Sequence, residues 1–157
     1  MQPSERTSNQ TSADTVFRSS PVDTHTVLNQ PPPLVDYDVF GSDTALVEAA
    51  ALFGSEEAAP ALSKLGNLAS SEQVQQWAVE ADTYTPVLRA HDRYGRRVDE
   101  VDFHPAWHAL MNEAVSAGLH AAPWASADPS AHVTRAAGFL TWYQSEAGHG
   151  CPISMTY

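Results

Sequence analysis

The stretch VDEVDFHPAWHALMNEAVSAG, Val98–Gly118, changes its periodicity midway, and the fold turns on that change. In Val98–Phe103 the residues Val98, Glu100 and Asp102 alternate with Asp99, Val101 and Phe103, the two-residue repeat of a strand. From His104 onward the repeat is helical: Trp107, Leu110, Met111, Ala114 and Val115 form one apolar stripe. Pro105 suits a first helical turn, and Gly118 supplies a stop. The strand needs a partner, and Val87–Asp92, just upstream, provides one. Between the two lie Arg93–Arg97 with Tyr94 and Gly95 at the centre, where glycine supplies the positive φ of a tight turn, so Pro86–Phe103 reads as a short β-hairpin.

On either side of this stretch the chain reads as mostly helical. Ser42 precedes Leu46, Val47, Ala50 and Phe53 at helical spacing, with Gly54 after them, which predicts a helix over Asp43–Phe53 capped by Ser42. Ser55 leads into Glu56 and Glu57, acids suited to the positive end of a helix dipole, and Ala58, Leu62, Leu65 and Leu68 recur on one face of a second helix whose entrance Pro60 leaves open. A third starts at a Ser70 or Ser71 cap, carries Val74, Trp77, Ala78 and Ala81, and ends by Tyr84, before Pro86. After a loop over Leu119–Trp124, Asp128 and Pro129 predict the start of a fifth helix bearing Val133, Ala136, Ala137, Leu140 and Tyr143. It should last to about Ala147 and stop at Gly148. Beyond it, the last residues from Cys151 include another plausible helix start.

At the N-terminal side, Asp23–Phe40 contains Pro31, Pro32 and Pro33, which lack backbone donors and fix φ, so this segment is read as an extended strap. Its Val27, Leu34, Val35, Tyr37, Val39 and Phe40 are too apolar for a free linker, and docking on a surface is expected. Residues 1–22 are polar and lack the apolar block of a secretory signal; they read as a disordered tail before a domain spanning 23–157.

Composition limits what such a domain does. Its 157 residues suit one domain, and 43% apolar content with a mean hydropathy of -0.30 allows a core. Eight Lys and Arg against 19 Asp and Glu give a charge of -11, which repels nucleic acid. No apolar run reaches the roughly 18–20 residues of a membrane span. One cysteine closes no intrachain disulfide, so a cytoplasmic chain is the simplest reading.

Three constellations could carry chemistry. His104 and His108 share a helix face at metal-ligand spacing, but the chain offers neither a third ligand nor a glutamate base between them. The favoured reading puts His104 at the helix start and His108 near the surface, with no metal bound. Cys151 lies two residues beyond His149, and a thiolate beside an imidazole can act as a nucleophile. Catalytic partners generally meet from distant positions, however, and a small packed thiol is favoured. Arg89, Arg93, Arg96 and Arg97 could grip a phosphate, yet Asp92, Asp99, Glu100 and Asp102 are interleaved with them, and cross-strand ion pairs explain the mixture. Trp77, Trp107, Trp124 and Trp142 lie mostly on helical stripes and read as core. GxxxxGK[ST], GxGxxG and GxSxG motifs are absent, so no catalytic, cofactor-binding or metal-binding residue is assigned.

Beyond these readings, THTVLNQPPP over Thr24–Pro33, VDEVDFHPAWHALM over Val98–Met111 and EAGHGCPISMTY over Glu146–Tyr157 together resemble the N-terminal region of the AidB-type branch of the acyl-CoA dehydrogenase family. Those flavoproteins belong to the adaptive response to DNA alkylation. The resemblance runs from about Asp23 to Tyr157. It implies a mainly α fold, an acyl-CoA dehydrogenase N-terminal helical domain with an extended strap and a short hairpin. It also implies a parent chain over three times as long, an FAD oxidoreductase acting on CH–CH groups, with a middle β domain and a C-terminal helical bundle, assembled as a homotetramer. The family's flavin loops and catalytic base would follow Tyr157, so this piece is expected to wall the flavin cavity with its His149–Tyr157 end, to bind no FAD alone, and to take no nucleic acid. The uncapped Tyr157 end is read as a truncation. The competing reading is a stand-alone helical module that docks a partner through its strap.

Overall fold

The structure, a computed structural model, describes Thr24 and residues 28–155, and the expected tail over residues 1–22 lies outside them. The chain divides into Met1–Pro33 and Leu34–Tyr157. In the first unit, residues 28–33 are exposed and carry neither helix nor strand, as a triple proline requires. Six helices and one hairpin follow among the described residues of the second unit: α1 Thr44–Phe53, α2 Ala59–Ala69, α3 Glu72–Thr83, β1 Val87–His91, β2 Arg97–Asp102, α4 Pro105–Ser116, α5 Ala131–Tyr143 and α6 Gly150–Ser154. Short 3-10 turns at Glu56–Ala58 and Ala122–Ala125 lead into α2 and α5.

Local chemistry sets most boundaries. Ser71 caps α3 by accepting from the Val74 N–H at 3.3 Å, and His104 caps α4 with Nδ1 accepting from the Ala106 N–H at 3.3 Å. The α1 cap is Asp43, whose carboxylate accepts from Leu46 N–H at 3.0 Å, and not the expected Ser42, whose hydroxyl donates to the Val39 carbonyl. Pro60 sits within the first turn of α2, where its missing N–H costs no helical bond. The largest departure is α5. Asp128 accepts from both the N–H and the hydroxyl of Ser130 at 2.8 and 2.7 Å, closing a turn of its own, and the helix starts at Ala131. It ends at Tyr143, four residues before the expected Ala147, because the Glu146 carboxylate folds back onto the N–H groups of Gly148 and His149. Gly148 is therefore no terminator.

Helices α3 and α4 pack together, as do α2 and α5, with α1 against α5. One core cluster joins Val39, Leu65, Val74, Leu110, Leu119, Trp142 and Ile153; a second joins Phe40, Ala50, Leu62 and Ala137. Each large side chain withdrawn from water in this way stabilises the fold by about 1.5–3 kcal/mol. The buried face of α5 is Ala137, Gly138, Thr141 and Trp142; it keeps Ala137 of the expected Val133, Ala136, Ala137, Leu140 and Tyr143 stripe but is rotated away from Leu140 and Tyr143. Turning the indole inward buries more apolar surface than Leu140 would, and Leu140 stays 55% exposed. Leu68 and Val115, expected on inward stripes, lie at the exposed margins of α2 and α4.

Of the strap's apolar residues, Val27 lies outside the described residues. Within the second unit the strap passes from exposed to buried: Leu34 is 73% exposed, whereas Val39 and Phe40 are 5% and 3% exposed. A latch explains the difference. The N–H groups of Asp36 and Tyr37 donate to the carbonyl and hydroxyl of Ser70, both at 3.0 Å, and the Ser70 hydroxyl donates to the Tyr37 carbonyl. The Ser63 hydroxyl donates to the Asp38 carboxylate. Gly66 makes this approach possible: a Cβ there would stand 2.2 Å from Asp38 Oδ1 and 2.7 Å from Phe40 N.

The hairpin takes the expected form. β1 and β2 pair antiparallel with Leu88 opposite Val101 and Arg89 opposite Glu100, and a bulge follows Arg89. Asp99, at φ 49°, sits in that bulge, and Gly95, at φ 78°, makes the turn. The Asp92 carboxylate holds the turn by accepting from the Tyr94 and Arg96 N–H groups at 2.8 and 2.9 Å.

Candidate functional site

The expected candidates separate in space. His104 is occupied as the α4 cap and stacks on Tyr84 with ring centroids 4.9 Å apart. The exposed His108 meets Trp107 and Phe103 edge-on. Among the described residues no group of three or more His, Cys, Asp or Glu stands where it could hold a metal ion.

His149 is fully buried and belongs to a polar chain. The Trp142 indole N–H donates to His149 Nε2 at 2.6 Å, and His149 Nδ1 lies 2.7 Å from Glu146 Oε2. Because Nε2 accepts, the ring proton sits on Nδ1 and points at the carboxylate, which fixes the tautomer. Burial pushes the Glu146 carboxyl up. The His149 N–H, the His149 imidazole and the Gly148 N–H together outweigh that, and hold the group below the ordinary 4.5 of a glutamate. Both imidazole nitrogens are thus engaged, and neither is free to take a proton from Cys151. That thiol is exposed, not packed as expected, since α6 turns its Ile153 side inward and leaves Cys151 outside. The Glu–x–x–His spacing in EAGHG was the available signal for this chain: a carboxylate three residues before a histidine in a Gly-rich turn can meet its ring.

A groove of about 620 Å³ lies between α2, the end of α4, the Ala122–Ala125 turn and the start of α5. Leu62, Leu65, Leu68 and Leu119 supply apolar wall. Arg135 crosses one end: its Nε donates to the Leu119 carbonyl at 2.6 Å, its Nη2 to the Ile153 carbonyl at 3.2 Å, and the guanidinium lies 5.4 Å from the centre of the Trp124 ring. Glu57, Glu113 and Asp128 also line the groove, with Lys64 the other cation. The two hydrogen bonds from Ser130 hold the Asp128 carboxyl below its usual range. The sequence gives no sign of this groove, because its lining comes from four separated segments and Arg135 lies in an otherwise ordinary helix. Trp124, read as core, is 51% exposed beside it. With walls but no nucleophile–base pair, the arrangement can bind or dock and has no evident reaction centre.

The hairpin arginines divide. Arg89 pairs across the strands with Glu100 and Asp102, as expected, while Arg97 pairs with Asp99 of its own strand at 2.5 Å. Arg93 and Arg96 instead lie over the Tyr94 ring, 5.2 and 5.8 Å from its centre.

Comparison with known proteins places this body. The family model for the adaptive response protein AidB N-terminal domain matches residues 29–157. AidB of Escherichia coli (strain K12), named as an acyl-CoA dehydrogenase, is 39% identical over 135 residues, which cover 85% of this chain and 25% of that protein. The chain thus spans about a quarter of the length of this curated relative. The structure of Bd2924 in its apo-form superposes with a TM-score of 0.69 at 27% identity, over 77% of this chain and 25% of the other. Caenorhabditis elegans ACDH-11, solved with C11-CoA, shares the fold at a TM-score of 0.69 and 20% identity, over 83% and 23% of the two chains. The chain belongs to the AidB N-terminal domain family, the helical N-terminal portion of AidB-like acyl-CoA dehydrogenases.

Proposed function

We propose that this domain walls the flavin and substrate cavity of an AidB-like FAD oxidoreductase of the adaptive response, and does no chemistry alone. Family membership across residues 29–157 carries the reading. Acyl-CoA dehydrogenation needs a flavin, which supplies hydride chemistry, and a protein that positions the substrate and excludes water. The residues here suit the second task. A helical body with a rigid α5–α6 corner, locked by Trp142, His149 and Glu146, presents Cys151 and the 70% exposed Met155 outward, a surface suited to lie against another domain. They do not suit a self-contained FAD site. In the groove, Arg135 is committed to backbone carbonyls, and Glu57, Glu113 and Asp128 would repel a pyrophosphate.

The middle and C-terminal domains, the homotetramer and the cytoplasmic setting belong to the same proposal. No described helix is long and apolar enough to cross a membrane. The test mixes the purified chain with FAD and measures the flavin absorbance retained after desalting. Loss of the colour is expected, and a stoichiometric yellow protein overturns the reading.

A further inference from the structure

Two exposed surfaces of this chain are complementary in chemistry. The first is the hairpin. Leu88 and Val101 face each other on one side and are 63% and 49% exposed, while Arg89, Glu100 and Asp102 pair on the opposite side. At its tip Tyr94 is 72% exposed beneath Arg93 and Arg96, and among the described residues neither arginine has an ion-pair partner. Asp92 and Gly95 fix the turn, so the two cations are presented on a preorganised loop.

The second surface is the end of α1 and the turn after it. In TALVEAAALF only Thr44 and Glu48 are polar, a composition expected of a helix covered on all sides, yet only Ala50 is buried. Leu52 and Phe53 are 75% and 69% exposed. Glu48 shares a face with Leu52 at i, i+4, and the exposed Glu56 and Glu57 follow in the 3-10 turn; none of the three has an ion-pair partner among the described residues. One surface is therefore apolar with two unpaired cations, and the other apolar with three unpaired anions.

We infer that the hairpin of one copy docks on the α1 end of a second copy, Leu88 and Val101 against Leu52 and Phe53, with Arg93 and Arg96 against Glu48, Glu56 and Glu57. Reciprocal exchange about a two-fold axis makes the contact twice and closes a dimer. It covers apolar residues of both elements and sets the two cations against the three anions. Because the charged pairs sit at the rim, the association weakens with salt.

Sedimentation equilibrium of the 157-residue chain tests this, with circular dichroism confirming that each variant keeps its helices. The wild type should dimerise in the micromolar range, and its dissociation constant should rise about tenfold or more between roughly 0.05 and 0.5 M salt. R93E/R96E and E56R/E57R place like charges across both contacts, and each should be monomeric alone. Mixed, the two variants have one native and one reversed contact and should form a heterodimer. Leu88→Ser, which leaves charge unchanged, should weaken the dimer about tenfold. A wild type that stays monomeric, a dimer indifferent to either reversal, or a mixture of the reversed variants that remains monomeric overturns the inference.

Discussion

The helical body and the hairpin are built on opposite principles. The body buries Leu110, Trp142 and Ile153 almost completely and engages both ring nitrogens of the enclosed His149. Both hairpin strands are exposed nearly throughout, and the ladder rests on backbone pairing, one bulge and surface ion pairs. Charge follows the same line. Residues 34–86 and 103–157 hold twelve Asp and Glu against only Lys64 and Arg135, whereas 87–102 hold four of each sign. Stability thus resides in the body, while the hairpin resembles a surface prepared for something else, since two strands without a covering layer are marginal in water.

Substitutions in each part test that contrast. The largest effect is expected for Leu110→Ala, which empties a fully buried site and should cost about 2–5 kcal/mol in urea unfolding. Gly66→Ala comes next. Its new Cβ must displace Asp38 and the Phe40 backbone, so about 1–3 kcal/mol should be lost, with the 36–40 segment opening first in hydrogen exchange. Trp142→Phe keeps most of the ring but leaves His149 Nε2 without its donor, and about 1–2 kcal/mol is expected.

Acid probes the same corner more gently. Glu146 is held below the ordinary glutamate value in the fold and returns toward it on unfolding, so the folded chain binds fewer protons. Its contribution is complete above that ordinary value and fades as pH falls through the depressed one. Near-ultraviolet circular dichroism should show the α5–α6 corner loosening over that range in the wild type but not in Glu146→Gln. The smallest effects belong to the hairpin: Leu88→Ala within about 0.5 kcal/mol and Arg89→Ala under about 1 kcal/mol. Losses of core size there would show that the hairpin is integral to the body.

Legibility in the sequence divides along physical lines. The hairpin, α3 and α4 were readable because their signals are local: a Gly-centred turn, a serine cap, a proline in a first turn. The family was readable from its motifs. The ends of α5 were not, because Asp128 and Glu146 spend their carboxylates on turns of their own, an outcome that capping preferences alone do not distinguish from a longer helix. The facing of α5 was missed for a tertiary reason: the indole has the larger apolar area to bury and finds its His149 partner inside, and both draw Trp142 inward in place of Leu140. The groove and the latch depend on residues tens of positions apart, and periodicity carries no information about such meetings.

The latch also bears on the order of events at the ribosome. Tyr37 finds its hydroxyl partner 33 residues later, at Ser70, so the segment that emerges first has nothing to hold until α2 has been made. At translation rates of 5–20 residues per second that interval is roughly 2–7 s, during which Val39 and Phe40 stand uncovered and open to chaperones.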